Sequence, residues 1–417
     1  MSVMVSSRVC VITYDWYPHE VRALRSAEAA VSAGYDVDVI CLLQPGKKSY
    51  EVYNGVRIYR LSLGRCIGRS LPITLLYWCY FLLLAGVIAS WLHLKRRYNV
   101  VHVHNMPDFL VFSALFPKLL GARIILDVQD VSPELMAAKA KGHLRGVVIQ
   151  LARWQERIST VFAHHIVTTG PFFEELLIRR GVPREKITSI LNSADPKLFP
   201  HARRYPLPPE PSGQEQPFIV MYHGTVAKRN GLDTAVRALA LVRHVVPDVR
   251  LDIQGSGEDL PLIKQLVAEL GLSDCVAFSG PCPPEKVVDF VVHGHIGIIP
   301  YRCDGFAELV LPTKAYEFAW MHRAMIASNT SAIRSMFRPE SIILCDPSSP
   351  ESFAEAIIDL YYHPEKRASM IDHAYEDYLP YRWELMAERY QRLLRALSYT
   401  RSRTTSSKEL LENDCPK

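Results

Sequence analysis

Short apolar runs alternate with longer helical stretches through almost the whole chain. In the first half the strand-like runs are RVCVITY (8–14), YDVDVICLL (35–43), VRIYRL (56–61), VVHVHN (100–105), ARIILDV (122–128), HIVTT (165–169) and ITSIL (187–191). Between the first two, RALRSAEAAVSAG (22–34) predicts a helix of about a dozen residues that stops at Gly34. Strand, helix, strand in this rhythm is the signature of a parallel, doubly wound sheet. A second series runs FIVMYHG (218–224), VRLDIQG (249–255), CVAFSG (275–280), IGIIP (296–300), AMIAS (324–328) and SIILCD (341–346). Helical stretches such as DTAVRALALVRHV (233–245) and PLIKQLVAELG (261–271) fall between these runs.

The Pro-rich stretch 205–217 separates the two series and reads as a linker. The expected organisation is two Rossmann-like α/β domains, 1–204 and 218–379, facing a cleft. A final helix over 380–399 is expected to cross back to the first domain. The polar tail 400–417 is expected to be disordered.

One segment breaks the pattern. Residues 71–92, LPITLLYWCYFLLLAGVIASWL, carry no charge and are followed by Lys95, Arg96 and Arg97. The length suffices to span a bilayer. Yet the segment lies between two strands of one α/β unit, which a spanning helix would place on opposite sides of a membrane. Two readings remain: a fully buried helix, or a helix whose outward apolar face rests in the membrane interface.

Composition adds bounds. A length of 417 residues exceeds one ordinary core, in keeping with two domains. The formal charge of +5 is too mild for a dedicated nucleic-acid binder. Nine scattered cysteines, with no C-x-x-C pair, suit reduced thiols in the cytosol. The N-terminus reads straight into a strand and not as a signal peptide.

Ligands of doubly wound sheets bind beyond the carboxyl ends of the strands. Two such places stand out. In HGTVAKRNG (223–231), Gly224 allows close backbone approach, Thr225 offers a hydroxyl, and Lys228 and Arg229 bring positive charge, a combination suited to a diphosphate. A solvated basic loop is the plain alternative. In LPTKAYEFAWMHRAMIAS (311–328), Pro312 fits a helix start, which puts Thr313, Lys314 and Glu317 where backbone N–H groups attract anions. A capped core helix with a solvated ion pair is the plain alternative here. QGSGED (254–259) reads as a tight turn. On the first domain His104, Asn105, Asp127, Gln129 and Asp130 lie at strand ends, His104, Asp130 and Glu134 are cleft-lining candidates, and Arg22 and Arg25 face either an acceptor phosphate or solvent.

Taken together, HGTVAKRNGLDTAVRALALV, LDIQGSGED, LGLSDCVAFSG, IGIIPY and LPTKAYEFAWMHRAMIAS resemble, in order and spacing, the family 4 retaining glycosyltransferases of GT-B architecture. YNGVRIYRL, YNVVHVHNMPD, IILDVQDVSPE and LNSADPKLF look like landmarks of its N-terminal half. The resemblance covers about residues 8–395.

It implies transfer of a sugar from a nucleotide diphosphate sugar to a glycan or lipid-linked acceptor, with retention and without a metal or other cofactor. Glu317 matches the glutamate that binds the donor ribose. Backbone N–H groups of Leu309, Val310 and Leu311 are implied to face the diphosphate, with Lys228 and Arg229 opposite. His104, Asp130 and Glu308 are the catalytic candidates, and Arg22, Asn105, Gln129 and Glu134 fall on the acceptor side.

The chain departs from the pattern in three places. Leu309 stands where many members carry a first glutamate, with Glu308 one residue off. Gln129 replaces a commoner histidine, and Asn230 replaces a lysine before Gly231. The expected partners are a nucleotide sugar, an acceptor and a membrane surface met through residues 71–97, at the cytosolic face. Two alternatives stand beside this: a sugar-nucleotide 2-epimerase of similar fold, and a non-catalytic nucleotide-binding scaffold.

Overall fold

The apolar runs form strands because helices cover both faces of each sheet, so nearly every strand position is buried. The computed structural model describes residues 7–66, 71–139, 145–199, 206–211, 216–283, 286–303 and 308–399. They divide into two units. One takes in the chain up to Leu191 together with the segment from Glu384, and the other runs from Asn192 to Trp383.

The first unit is built in chain order from β1 (Arg8–Trp16), α1 (Val21–Ser32), β2 (Asp36–Leu42), β3 (Tyr50–Tyr53), β4 (Val56–Leu61), α2 (Leu71–Arg96) and β5 (Val100–His104). A 3₁₀ segment (Asp108–Ala114), α3 (Leu115–Leu119), β6 (Arg123–Val128), α4 (Ser132–Lys139), α5 (Arg145–Phe162), β7 (His165–Thr168), α6 (Pro171–Arg179) and β8 (Ile187–Ser189) follow. The sheet order is β3-β4-β2-β1-β5-β6-β7-β8, parallel except for β3. That edge strand is absent from the sequence reading. It pairs with β4 through Asn54-Gly55, both at positive φ (48° and 80°), as a tight hairpin requires.

The second unit contains β9 (Phe218–His223), α7 (Leu232–Val242), β10 (Val249–Gln254), α8 (Leu260–Glu269), β11 (Val276–Gly280), α9 (Val287–His293) and β12 (Ile296–Ile299). It continues with α10 (Thr313–Trp320), β13 (Ala324–Ser328), α11 (Ser331–Met336), β14 (Ile343–Cys345), α12 (Pro350–Tyr362) and α13 (Pro364–Tyr378). Its sheet, β11-β10-β9-β12-β13-β14, is parallel throughout, with Val236, Leu239, Ile253, Ile298 and Ile326 in its core.

The last helix, α14 (Trp383–Tyr399), packs on the first unit. Tyr390 Oη lies 2.8 Å from His102 Nδ1, and Gln391 donates to Ala29 O at 3.0 Å. The first unit ends at Leu191, earlier than the expected boundary at 204. The described part of the expected linker lies on the second unit, where Arg367 holds Glu210 at 2.5 Å and His295 Nε2 meets Pro209 O at 3.0 Å. Residues 400–417 fall outside the described residues.

Helix α2 is not buried all round. Phe81, Ala85, Ala89 and Leu92 turn inward, while Leu76, Leu83 and Val87 are 67–69% exposed. Of the two sequence readings, the fully buried helix is therefore set aside.

Candidate functional site

At the carboxyl end of β9 the chain turns sharply against its neighbour β10. Gly224 (φ 121°) donates to Gln254 O at 2.9 Å, and Val226 donates to Ser256 O at 2.9 Å. The approach is so close that a Cβ on Gly255 (φ 144°) would lie 1.9 Å from Gly224 O. Gly255→Ala is therefore expected to destabilise the second domain by about 3 kcal/mol, from strain plus overpacking. Urea unfolding of the variant checks this. Asn230, which stands in the place of a lysine, is spent on this turn: its Nδ2 donates to Tyr222 Oη at 3.1 Å and to Thr225 O.

The turn faces the start of α10, and between them lies a cavity of about 240 Å³. Gly224, Thr225, Arg229, Thr313, Lys314 and Glu317 line it, as the two sequence stretches predict; His223, Asn230 and Tyr301 complete the wall. Lys314 is 5% exposed. Its Nζ lies 3.6 Å from the centre of the Tyr222 ring and 5.5 Å from that of Tyr301. It has no hydrogen-bond partner among the described residues. Burial lowers its amine from the usual lysine range to about 7, against the opposing pull of Glu317.

Glu317, three residues along the helix, has Oε2 3.2 Å from His223 Nε2. Burial, then the neighbouring Lys314, depress His223 to about 3, so the imidazole is neutral. The cavity thus presents a buried amine, a guanidinium, a helix N-terminus and a carboxylate. The cations and helix start suit a diphosphate, and the carboxylate suits a vicinal diol.

Other predicted positions fall elsewhere. Lys228 is exposed on the turn and does not line the cavity. Leu309, Val310 and Leu311 precede α10, outside the cavity lining. Glu308 sits at the start of α11, where Oε2 accepts from Ser331 N–H at 2.8 Å and Oε1 from the Cys303 thiol at 2.6 Å. Burial alone would raise its carboxyl, but those bonds hold it below the usual range.

On the first domain the strand ends carry a buried ionic cluster. Arg22 Nε donates to both Asp127 oxygens at 2.8 Å, and its Nη1 donates to Ile190 O at 2.8 Å. His102 Nε2 and His104 Nδ1 each lie 3.4 Å from Asp127 Oδ2. Gln129 Nε2 lies 3.0 Å from His104 Nδ1. With that amide donating, the proton of a neutral His104 is on Nε2, which has no hydrogen-bond partner among the described residues. Burial, reinforced by His102, keeps His104 neutral.

The donor atoms of His102, His104 and Asp127 lie within 4.8 Å of one another. A cation there would compete with Arg22 for the same two carboxylate oxygens. Arg22 is therefore not on a solvated face. Asn105 binds the loops together, donating to Asp108 Oδ1 at 2.7 Å and to Asp130 O at 2.8 Å, and Glu134 pairs with Arg180. His102, Asp108 and Tyr390 are absent from the sequence reading.

Two α/β domains built on parallel sheets define a protein of GT-B fold. Comparison with known proteins agrees. A model described as "Glycosyl transferase 4-like domain" matches residues 19–193, and one described as "Glycosyl transferases group 1" matches residues 208–377. The chain belongs to the family 4 glycosyltransferases, which those two domains make up.

A D-inositol 3-phosphate glycosyltransferase of Thermobispora bispora is 22% identical over 328 residues, 75% of this chain and 73% of that protein. The corresponding enzyme of Acidothermus cellulolyticus is 28% identical over 179 residues, 41% of this chain, and the match spans only 39% of its length. Sucrose-phosphate synthase from Thermosynechococcus elongatus superposes with a TM-score of 0.73 at 20% identity, covering 94% of this chain and 99% of that one.

Proposed function

We propose that the protein transfers a sugar, with retention, from a nucleotide diphosphate sugar to a glycan or lipid-linked acceptor, and that it does so without a metal. The observation that carries this reading is Lys314, a buried amine with no hydrogen-bonding partner among the described residues, aimed into a cavity beside Arg229 and the start of α10. A leaving diphosphate gains charge as the glycosidic bond breaks, so cations held there stabilise the transition state. Glu317 binds the ribose hydroxyls. On the first domain, His104 Nε2–H, Asp130 and the loops held by Asn105 and Gln129 are the acceptor-side candidates. Family membership and the names of the relatives support the transferase class.

The exposed apolar face of α2, followed by Lys95 and Arg97, supports a position at the cytosolic face of a membrane, where a lipid-linked acceptor would lie.

The test is acceptor dependence. Release of nucleoside diphosphate only when acceptor is supplied supports transfer, whereas conversion of the nucleotide sugar with no acceptor points to the epimerase. Glu317→Ala is expected to weaken donor binding by about 1–3 kcal/mol through the diol left unpaired. Calorimetric titration reads this directly, and unchanged affinity would remove Glu317 from the site.

A further inference from the structure

Helix α5 is turned inside out. Its apolar residues Val147, Leu151, Trp154, Ile158 and Val161 recur at helical spacing, and all but Ile158 are exposed, at 56–73%. Its buried side carries Ala152, Glu156, Ser159 and Thr160. Such a stripe on a folded domain marks a contact surface. The neighbouring α3 does the same: Leu115, Phe116, Leu119 and Leu120 are 40–74% exposed.

Both helices are joined to α2 by the 3₁₀ segment between them. Trp78 of α2 meets Phe109 at 6.3 Å between ring centres, and a Cβ on Gly86 would touch the Ser113 backbone at 3.6 Å. Phe112 meets Phe162 of α5 at 4.9 Å.

Charge names the occupant. Residues 71–97 and 115–123 contain no Asp or Glu, and α5 has only Glu156, which is buried against Arg180. The basic residues on these elements include Lys95, Arg97, Lys118, Arg145, Arg153 and Arg157. Lys95 lies 3.7 Å from the Trp91 ring centre, and Lys118 lies 4.1 Å from that of Phe162. Apolar stripes carrying tryptophan, on elements whose exposed charges are all basic among the described residues, match the interface of an anionic bilayer.

We propose that α3 and α5 extend the α2 face into one docking platform for an anionic membrane surface. This rests on the membrane position proposed above and enlarges it from one helix to three. Seating three helices fixes the orientation of the first domain on the bilayer, which one helix free to roll does not.

The experiment uses the full chain and vesicles of phosphatidylcholine, alone or mixed with phosphatidylglycerol. Three variants are compared with wild type: Leu151→Gln/Trp154→Gln on α5, Leu83→Gln/Val87→Gln on α2, and Arg153→Glu/Arg157→Glu. An unchanged urea transition of the first domain confirms that each is folded. The α5 apolar pair is expected to lower vesicle binding at least about tenfold, as loss of buried apolar area requires. The Arg pair is expected to abolish the preference for phosphatidylglycerol. Brominated lipids are expected to quench wild-type fluorescence more than that of Trp154→Phe.

Wild-type vesicle binding by the α5 pair, with loss in the α2 pair, would overturn the platform and leave the α2 reading standing. If neither pair changes binding, both readings fall. A change from dimer to monomer in the α5 pair, without vesicles, would give the face to a second copy of the chain and overturn the proposal.

Discussion

Asp127→Ala is expected to destabilise the first domain by about 3–5 kcal/mol, as removal of one partner from a buried ion pair does. Arg22 and Asp127 are 6% and 1% exposed, and the guanidinium donates to both oxygens of the carboxylate. Without the carboxylate, the buried guanidinium loses both of those 2.8 Å bonds, and His102 Nε2 loses the carboxylate oxygen 3.4 Å away. Urea unfolding of Asp127→Ala, with the second domain's transition as internal control, reads the loss.

Arg22→Met/Asp127→Ala is expected to recover part of it, because an apolar pair leaves no buried charge unmatched. The pH dependence has a definite sign. Burial alone would raise the Asp127 carboxyl, but Arg22 and then the hydrogen bond from His102 hold it far below the usual carboxylate range. A depressed carboxylate contributes stability that is complete above its unfolded value of about 4 and is lost as pH falls towards the folded value. Asp127→Ala removes this acid-sensitive contribution.

The second large effect is expected at Lys314. Lys314→Met keeps the length of the side chain and removes the amine, and nucleoside diphosphate affinity is expected to fall about 10- to 100-fold, the range for a charge-assisted bond. The amine titrates at about 7 in the free protein because of its burial. A diphosphate favours the ammonium form, so binding takes up protons near and above neutrality, and affinity falls as pH rises through 7 towards 9. The groups facing the amine do not reverse this sign: His223 is neutral, Tyr301 titrates at about 12, and burial raises Tyr222. Calorimetry in buffers of different ionisation heat measures the uptake, and Lys314→Met is expected to show none.

The fold was legible because buried parallel strands read as apolar runs. AMIAS and VRIYRL match β13 and β4 residue for residue. Edge strand β3 was missed since YEVY is short and mostly exposed; the Asn54-Gly55 turn was the available signal. Helix α13 was missed because Pro364 reads as a stop. It is instead an N-terminal residue of a new helix that buries Met370, Ile371, Ala374 and Tyr378.

At the candidate site, the charged and small residues were legible from the turn after β9 and the start of α10. Tyr222, His223 and Tyr301 were not, because an aromatic or histidine at a strand end looks like core until the opposing amine is in place. The burial of Arg22 depends on partners distant in sequence, Asp127 and Ile190, which no local pattern reveals.

The central claim is a nucleoside diphosphate site in the second domain. Its most direct test is thermal unfolding of the full-length protein against UDP, GDP, ADP and CMP, with lipid micelles present and absent. One diphosphate is expected to raise the second domain's stability by about 2.7 kcal/mol at a hundred times its dissociation constant. That rise should be absent in Lys314→Met. No rise with any nucleotide in either condition, or an equal rise in Lys314→Met, would contradict the account.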